Sequence, residues 1–196
     1  MRRRVFASAR VRSGAIVLAA MLALGGCGGD DARVVVPPRV DSSLAPATVG
    51  TDLKLYESKD RTTVKAFANV GERSLVSDGK LWEIRRADRL IGALQLTTVL
   101  PDVDLTDEDT RDTIVNQILP GASNRIRIGD EEVYATTVND KAVFVWFGRT
   151  MYVVLQLKDR QLDGQYDAIA EDVIAHQAAS DAWDPLPLVV DTDDDD

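Results

Sequence analysis

The chain has 196 residues, 45% hydrophobic and 28% charged, with a formal net charge of −9, one cysteine and one histidine. That size and apolar share suffice for a domain with its own core, while the acidic balance excludes the basic footprint of a nucleic-acid-binding protein. A lone cysteine excludes an internal disulfide and a cysteine-based metal cluster.

Arg2, Arg3, Arg4, Arg10 and Arg12 come first, with no acid among them, followed by an eleven-residue apolar run from Gly14 to Leu24. Spanning the hydrocarbon core takes roughly 20 apolar residues, so this run is too short for a transmembrane helix. A positive start, a short apolar core and small residues at its exit read as a secretory signal over residues 1–26. The run closes on Leu24-Gly25-Gly26-Cys27. This tetrapeptide resembles the lipobox of bacterial lipoproteins. The resemblance implies a diacylglyceryl group on the Cys27 thiol and cleavage that leaves Cys27 as the new N-terminus. It also implies palmitate-type acylation and a place at the cell membrane, lipid-anchored on the extracytoplasmic side. Two acyl chains hold a protein stably where one binds only marginally. Removal of the leader leaves 18 basic and 32 acidic residues, a charge of −14. Arginine outnumbers lysine 17 to 6, a codon-level trait of GC-rich genomes such as those of actinobacteria.

Residues 27–51 read as the lipidated cysteine and a flexible linker. Gly28 to Gly50 is rich in Gly, Pro, Ser and Asp and lacks sustained periodicity. As a coil it spans roughly 25 Å, which would let the domain hang clear of the lipid. The domain itself is expected over 52–188, with an acidic disordered tail at 189–196.

Within the domain, Leu53 and Leu55 alternate like a strand, and the rest of 53–69 is ambiguous. Asp78-Gly79 is a strong hairpin signal between Leu75–Ser77 and Lys80–Arg86, and Leu90–Leu100 follows across Ala87-Asp88. Thr106 is the expected cap of a first helix, with Asp107, Glu108 and Asp109 in the turn where the helix dipole favours negative charge. Its stripe is Ile114, Val115, Ile118 and Leu119, and Pro120-Gly121 ends it. Ser123–Ile128, Glu131–Val138, Lys141–Phe147 and Thr150–Leu157 then form an antiparallel meander with two-residue connections. Two-residue turns pair Val138 with Lys141 and Phe147 with Thr150. A second helix runs from near Asp163 to about Ala179, with Tyr166, Ile169, Ala170, Val173 and Ile174 on one face.

The fold class is therefore α+β: an antiparallel sheet, two hairpin strands plus a four-stranded meander, packed with two amphipathic helices. The order of hairpins, helix, meander, helix resembles the PsbP-like fold of some extracytoplasmic proteins, over roughly 60–180.

The register collects Val133, Ala135, Phe144, Trp146, Met151 and Val153 on a core face. On the opposite face Tyr134, Val145, Phe147, Tyr152 and Val154 make an apolar centre with a polar rim. That is either a recognition patch or a surface covered by a helix. Asp172–His176 has the spacing of a general-base pair but no partner nucleophile or further ligands, so a surface histidine is favoured. Asp102, Asp104, Asp107, Glu108 and Asp109 lack the glycine and distal glutamate of a calcium loop. No catalytic, phosphate-binding or dinucleotide motif occurs, which argues against an enzyme, and no cofactor or metal is implied. The expected function is a non-enzymatic binding or interaction domain, serving another envelope protein or a small ligand. An accessory structural subunit of an envelope complex is the alternative, and a hydrolase of envelope polymers with paired carboxylates is a third reading.

Overall fold

The β-rich runs pair because their apolar residues alternate, so each strand offers one side chain in two to either face. In a computed structural model these runs form one antiparallel sheet of eight strands. The structure describes residues 36–59, 69–70, 73–119, 121, 123–138, 141–158, 162 and 164–187. In chain order these are a 3₁₀ turn Ser42–Leu44, β1 (Thr48–Val49), β2 (Leu53–Glu57), β3 (Asn69–Val70), β4 (Arg73–Ser74), β5 (Val76–Arg86) and β6 (Arg89–Val99). Helix α1 (Glu108–Ile118), β7 (Asn124–Ile128), β8 (Glu131–Val138), β9 (Lys141–Phe147), β10 (Met151–Leu157) and α2 (Tyr166–Ala178) follow. The large sheet runs β1-β2-β5-β6-β10-β9-β8-β7, and β3 and β4 form a separate two-stranded ribbon. The sheet is thus larger than two hairpin strands and a meander: β10 pairs with β6 and joins the two systems edge to edge, and β1 and β2 extend the sheet beyond β5.

The helices take opposite faces. Helix α2 lies in a cluster with Trp82, Leu94, Phe144, Trp146, Val153 and Leu155. Helix α1 lies in a second cluster with Leu75, Val99, Tyr134, Phe147, Tyr152 and Val154. An eight-stranded sheet laid flat would be about 34 Å across at the usual strand spacing, three times the width of a helix. Helix α2 nevertheless touches both outermost strands, β1 and β7. The sheet must therefore curl around α2.

Three local expectations are corrected. Asp78-Gly79 is no hairpin: β5 runs straight through it, with an irregularity between Val76 and Asp78, and Gly79 sits opposite Thr97 of β6. The Asp78 carboxylate is engaged elsewhere, accepting the Val40 N–H at 3.1 Å. Across Gly148-Arg149 the partner of Phe147 is Tyr152 rather than Thr150. The turn is wider because Gly148 bridges to Pro185 and Arg149 N–H donates to the Asp184 carbonyl. The slip is two residues, an even number, so the faces are unchanged. The cap of α1 is Asp107, which accepts from Thr110 N–H, whereas Thr106 is held by Asp104.

The largest correction concerns the linker. Residues 36–50 belong to the fold: Val40, Leu44 and Val49 are buried in the α2 core. They form a strap that runs from the start of β5 to the Gly50 turn before β2 and lies against α2. The tail at 189–196 and Cys27 lie outside the described residues.

Strand direction defines two ends. The Gly148 end holds the turns after β7 and β9 and the loop from β6 to α1, and the chain's described start and finish lie there. Pro38 accepts from Ser77 and Thr98, and Pro185 pairs with Gly148. The Ala87 end holds the Gly50–Asp52 turn and the β5–β6 turn, where Ala87 adopts φ 49°.

Candidate functional site

Tyr134, Val145, Phe147, Tyr152 and Val154 come together on one face as the register requires, but they are not open. Their relative exposures are 2%, 0%, 2%, 0% and 7%. Helix α1 covers them with Ile114, Val115 and Leu119. The rings pack on one another: Tyr134 meets Phe147 edge-on at 5.9 Å, and Phe147 meets Tyr152 at 6.2 Å. The apolar centre is a second core, because α1 has a full apolar stripe of its own to bury and this is the face it reaches.

The rim of that face is charged. Arg125 on β7 reaches Glu108 at 2.6 Å and Asp112 at 3.1 Å on α1, and Glu132 on β8 at 3.8 Å. Its guanidinium also lies 5.0 Å from the Tyr134 ring centroid, a cation–π arrangement. The Glu108 hydrogen bond, with neighbouring carboxylates, holds the Arg125 pKa above its ordinary value. Burial raises the Tyr134 phenol, whose hydroxyl donates to Asp112 at 3.4 Å. Sequence pairing alone places Arg127 opposite Glu132, yet it is Arg125 that gathers the acids. Arg111 is buried, and its Nη1 donates to the carbonyls of Leu105 and Thr106. The helix is thereby tied to the loop that precedes it.

The polar side chains of α2 hold the strap. His176 Nε2 lies 2.8 Å from the Ser43 carbonyl, so that nitrogen carries the proton and donates. Asp172 accepts the Gly50 N–H at 2.6 Å. Gln177 is fully buried; it accepts from Trp146 Nε1 at 2.9 Å and donates to the Leu44 carbonyl at 3.3 Å. Asp172 and His176 therefore serve two different backbone groups of the strap and are not joined as an acid–base pair. The strap was missed by sequence reasoning. Its signal is Asp41-Ser42-Ser43 before Leu44, an acidic cap that accepts from Ser43 N–H at the start of a turn.

The acidic loop is likewise committed locally. Asp102 bonds Arg73 at 2.5 Å, and Asp104 closes a turn on Thr106. Hydrogen bonding from Arg73, Thr106 and Thr110 lowers the pKa values of Asp102, Asp104 and Asp107 in turn. Among the described residues, no group of three or more His, Cys, Asp or Glu converges to hold a metal. An open cleft of about 400 Å³ lies where the strap begins, lined by Val36, Pro37, Arg39, Ser77 and Asp78. Among the described residues, no helix is long and apolar enough to cross a membrane.

Comparison with protein-family models, curated proteins and solved structures finds no match to this chain.

Proposed function

We propose that this protein is a lipid-anchored envelope protein, held on the extracytoplasmic side of the cell membrane through Cys27, with a non-enzymatic interaction domain. The observation that carries the reading is the arginine-rich start, the short apolar run and Leu24-Gly25-Gly26-Cys27 taken together. The non-enzymatic part is supported by the committed state of the groups best suited to catalysis. His176 and Asp172 are engaged with backbone of the strap, and the loop acids with local donors and Arg73. Because the five-residue apolar patch lies under α1, a partner meets the loops and the sheet's ends instead.

That covering also favours the accessory-subunit form of the reading, in which the domain docks within a larger envelope complex. Co-purification with a membrane complex, and loss of that complex on deletion, are its expected marks. The anchor is tested by Cys27→Ser. The wild-type chain should fractionate with membranes after a salt wash and the variant should not. A variant that stays membrane-bound would overturn the lipoprotein reading.

A further inference from the structure

We infer that the domain has a fixed polarity at the membrane, with its Gly148 end toward the lipid headgroups and its Ala87 end outward. The inference rests on the lipid-anchor reading and follows from where folded structure starts. Pro38 is fastened to β5 and β6 by Ser77 Oγ at 2.7 Å and Thr98 Oγ1 at 3.1 Å. Val40 N–H is fastened to Asp78, and Val36 lies beside Ser77 and Asp78 at the mouth of the cleft. Only the eight residues Gly28 to Val35 separate Cys27 from that point.

The covalent reach is correspondingly short. Nine residue steps from Cys27 to Val36 extend to at most about 32 Å, and a coil of that length averages roughly 17 Å. Strands β5 and β6 have eleven residues each, which makes the sheet about 35 Å long. A tether fixed beside Ser77 and Asp78 lets the Ala87 end meet the bilayer head-on only when it is almost fully extended, so at its average length it holds the Gly148 end nearer the lipid. Charge does not set this polarity, since Asp102, Asp104, Asp107, Asp130 and Asp184 are exposed at the Gly148 end and anionic headgroups repel them. The chain length overrides that repulsion, which acts over a Debye length of about 10 Å at moderate salt. What is offered outward is the Ala87 tip, with Arg89 and the 41%-exposed Leu90.

The test uses the lipidated full chain in vesicles carrying a nitroxide-headgroup lipid. With Cys27 acylated, an introduced cysteine is the one free thiol, so Thr150→Cys and Asp88→Cys each place a fluorophore at one end. Both positions are exposed. Flotation with the vesicles and the mass of the acylated N-terminus check the anchor first. A chain that does not float overturns the lipid-anchor reading, and the polarity falls with it. For a chain that floats, quenching at Thr150 should exceed that at Asp88 roughly threefold, given ends about 35 Å apart. The order should hold in phosphatidylcholine and in phosphatidylglycerol vesicles. Equal or reversed quenching in a floating chain overturns the polarity alone. A Gly-Ser insertion after Gly29 that triples the tether should shrink the difference; an unchanged difference would overturn tether length as its cause.

Discussion

Under α2 the sheet buries Trp82, Phe144, Trp146 and Leu155 with a helix whose inward residues are all apolar except Gln177. Under α1 the buried apolar set is smaller, and the polar residues Arg111, Thr97 and Gln95 are buried on that side. Helix α2 is enclosed by a curled sheet and a strap, and α1 is pinned from outside by Arg125 and its three carboxylates. The two faces therefore answer to different forces. The α2 side depends on apolar area and shape, the α1 side on apolar area plus charges that solvent can screen.

Truncation within each core separates them most strongly. Phe144→Ala, under α2, should cost about 3–5 kcal/mol, the range for a fully buried aromatic. Ile114→Ala, under α1, should cost about 2–4 kcal/mol. Chemical denaturation of both variants measures the difference. An Ile114→Ala cost equal to or above that of Phe144→Ala would mean that α1 carries more of the stability than its smaller cluster indicates.

Gln177→Ala isolates the polar seam of the α2 side. It strips a partner from buried Trp146 Nε1 and from the Leu44 carbonyl, so a loss of about 1–3 kcal/mol is expected. Hydrogen exchange should quicken at residues 41–49 before it does in β9. A loss confined to β9 would show that the strap does not depend on the Gln177 bond to Leu44.

Arg125→Ala probes the α1 rim. The arginine side chain is 42% exposed, so the expected cost is only about 0.2–1 kcal/mol. The cost should shrink in high salt, whereas that of Phe144→Ala should not. A salt-independent loss at Arg125 would assign its effect to packing on Tyr134.

The meander was readable because its apolar alternation is long and its connections short. Glu131–Val138 and Lys141–Phe147 are observed with the expected bounds, since register and face follow from period two once the turn is known. The inward stripe of α2 was equally plain at Tyr166, Ile169, Ala170, Val173 and Ile174. The strap was not legible, because Val40, Leu44 and Val49 are too far apart to show a period and their partners lie in α2, more than a hundred residues away. Asp78-Gly79 misled for a related reason. A hairpin signal is local, and a distant Val40 N–H uses the same carboxylate. The candidate patch failed on a question of layers: a register lists the residues of a face and does not say which helix lies on it.

The smallest expected effect bears on the Gly148 end, where two acids should answer pH with opposite sign. Burial raises the Glu131 pKa against the opposing Trp183 hydrogen bond, so folding favours its neutral form. Stability tied to Glu131 is then fully present below the ordinary carboxylate range and is lost as pH rises through the raised value. Asp107 is the reverse. Hydrogen bonds from Thr110 lower its pKa, so its contribution is present at neutral pH and is lost as pH falls through that lowered value. Glu131→Gln keeps an oxygen for Trp183 Nε1, which donates at 2.9 Å, and removes the charge. It should raise stability at neutral pH by less than about 1 kcal/mol and leave it unchanged in acid. Asp107→Asn should lower stability at neutral pH and converge with wild type in acid. Parallel pH titrations of the two melting curves that run in the same direction would mean that Glu131 is stabilised as a carboxylate, and that Trp183 outweighs its burial.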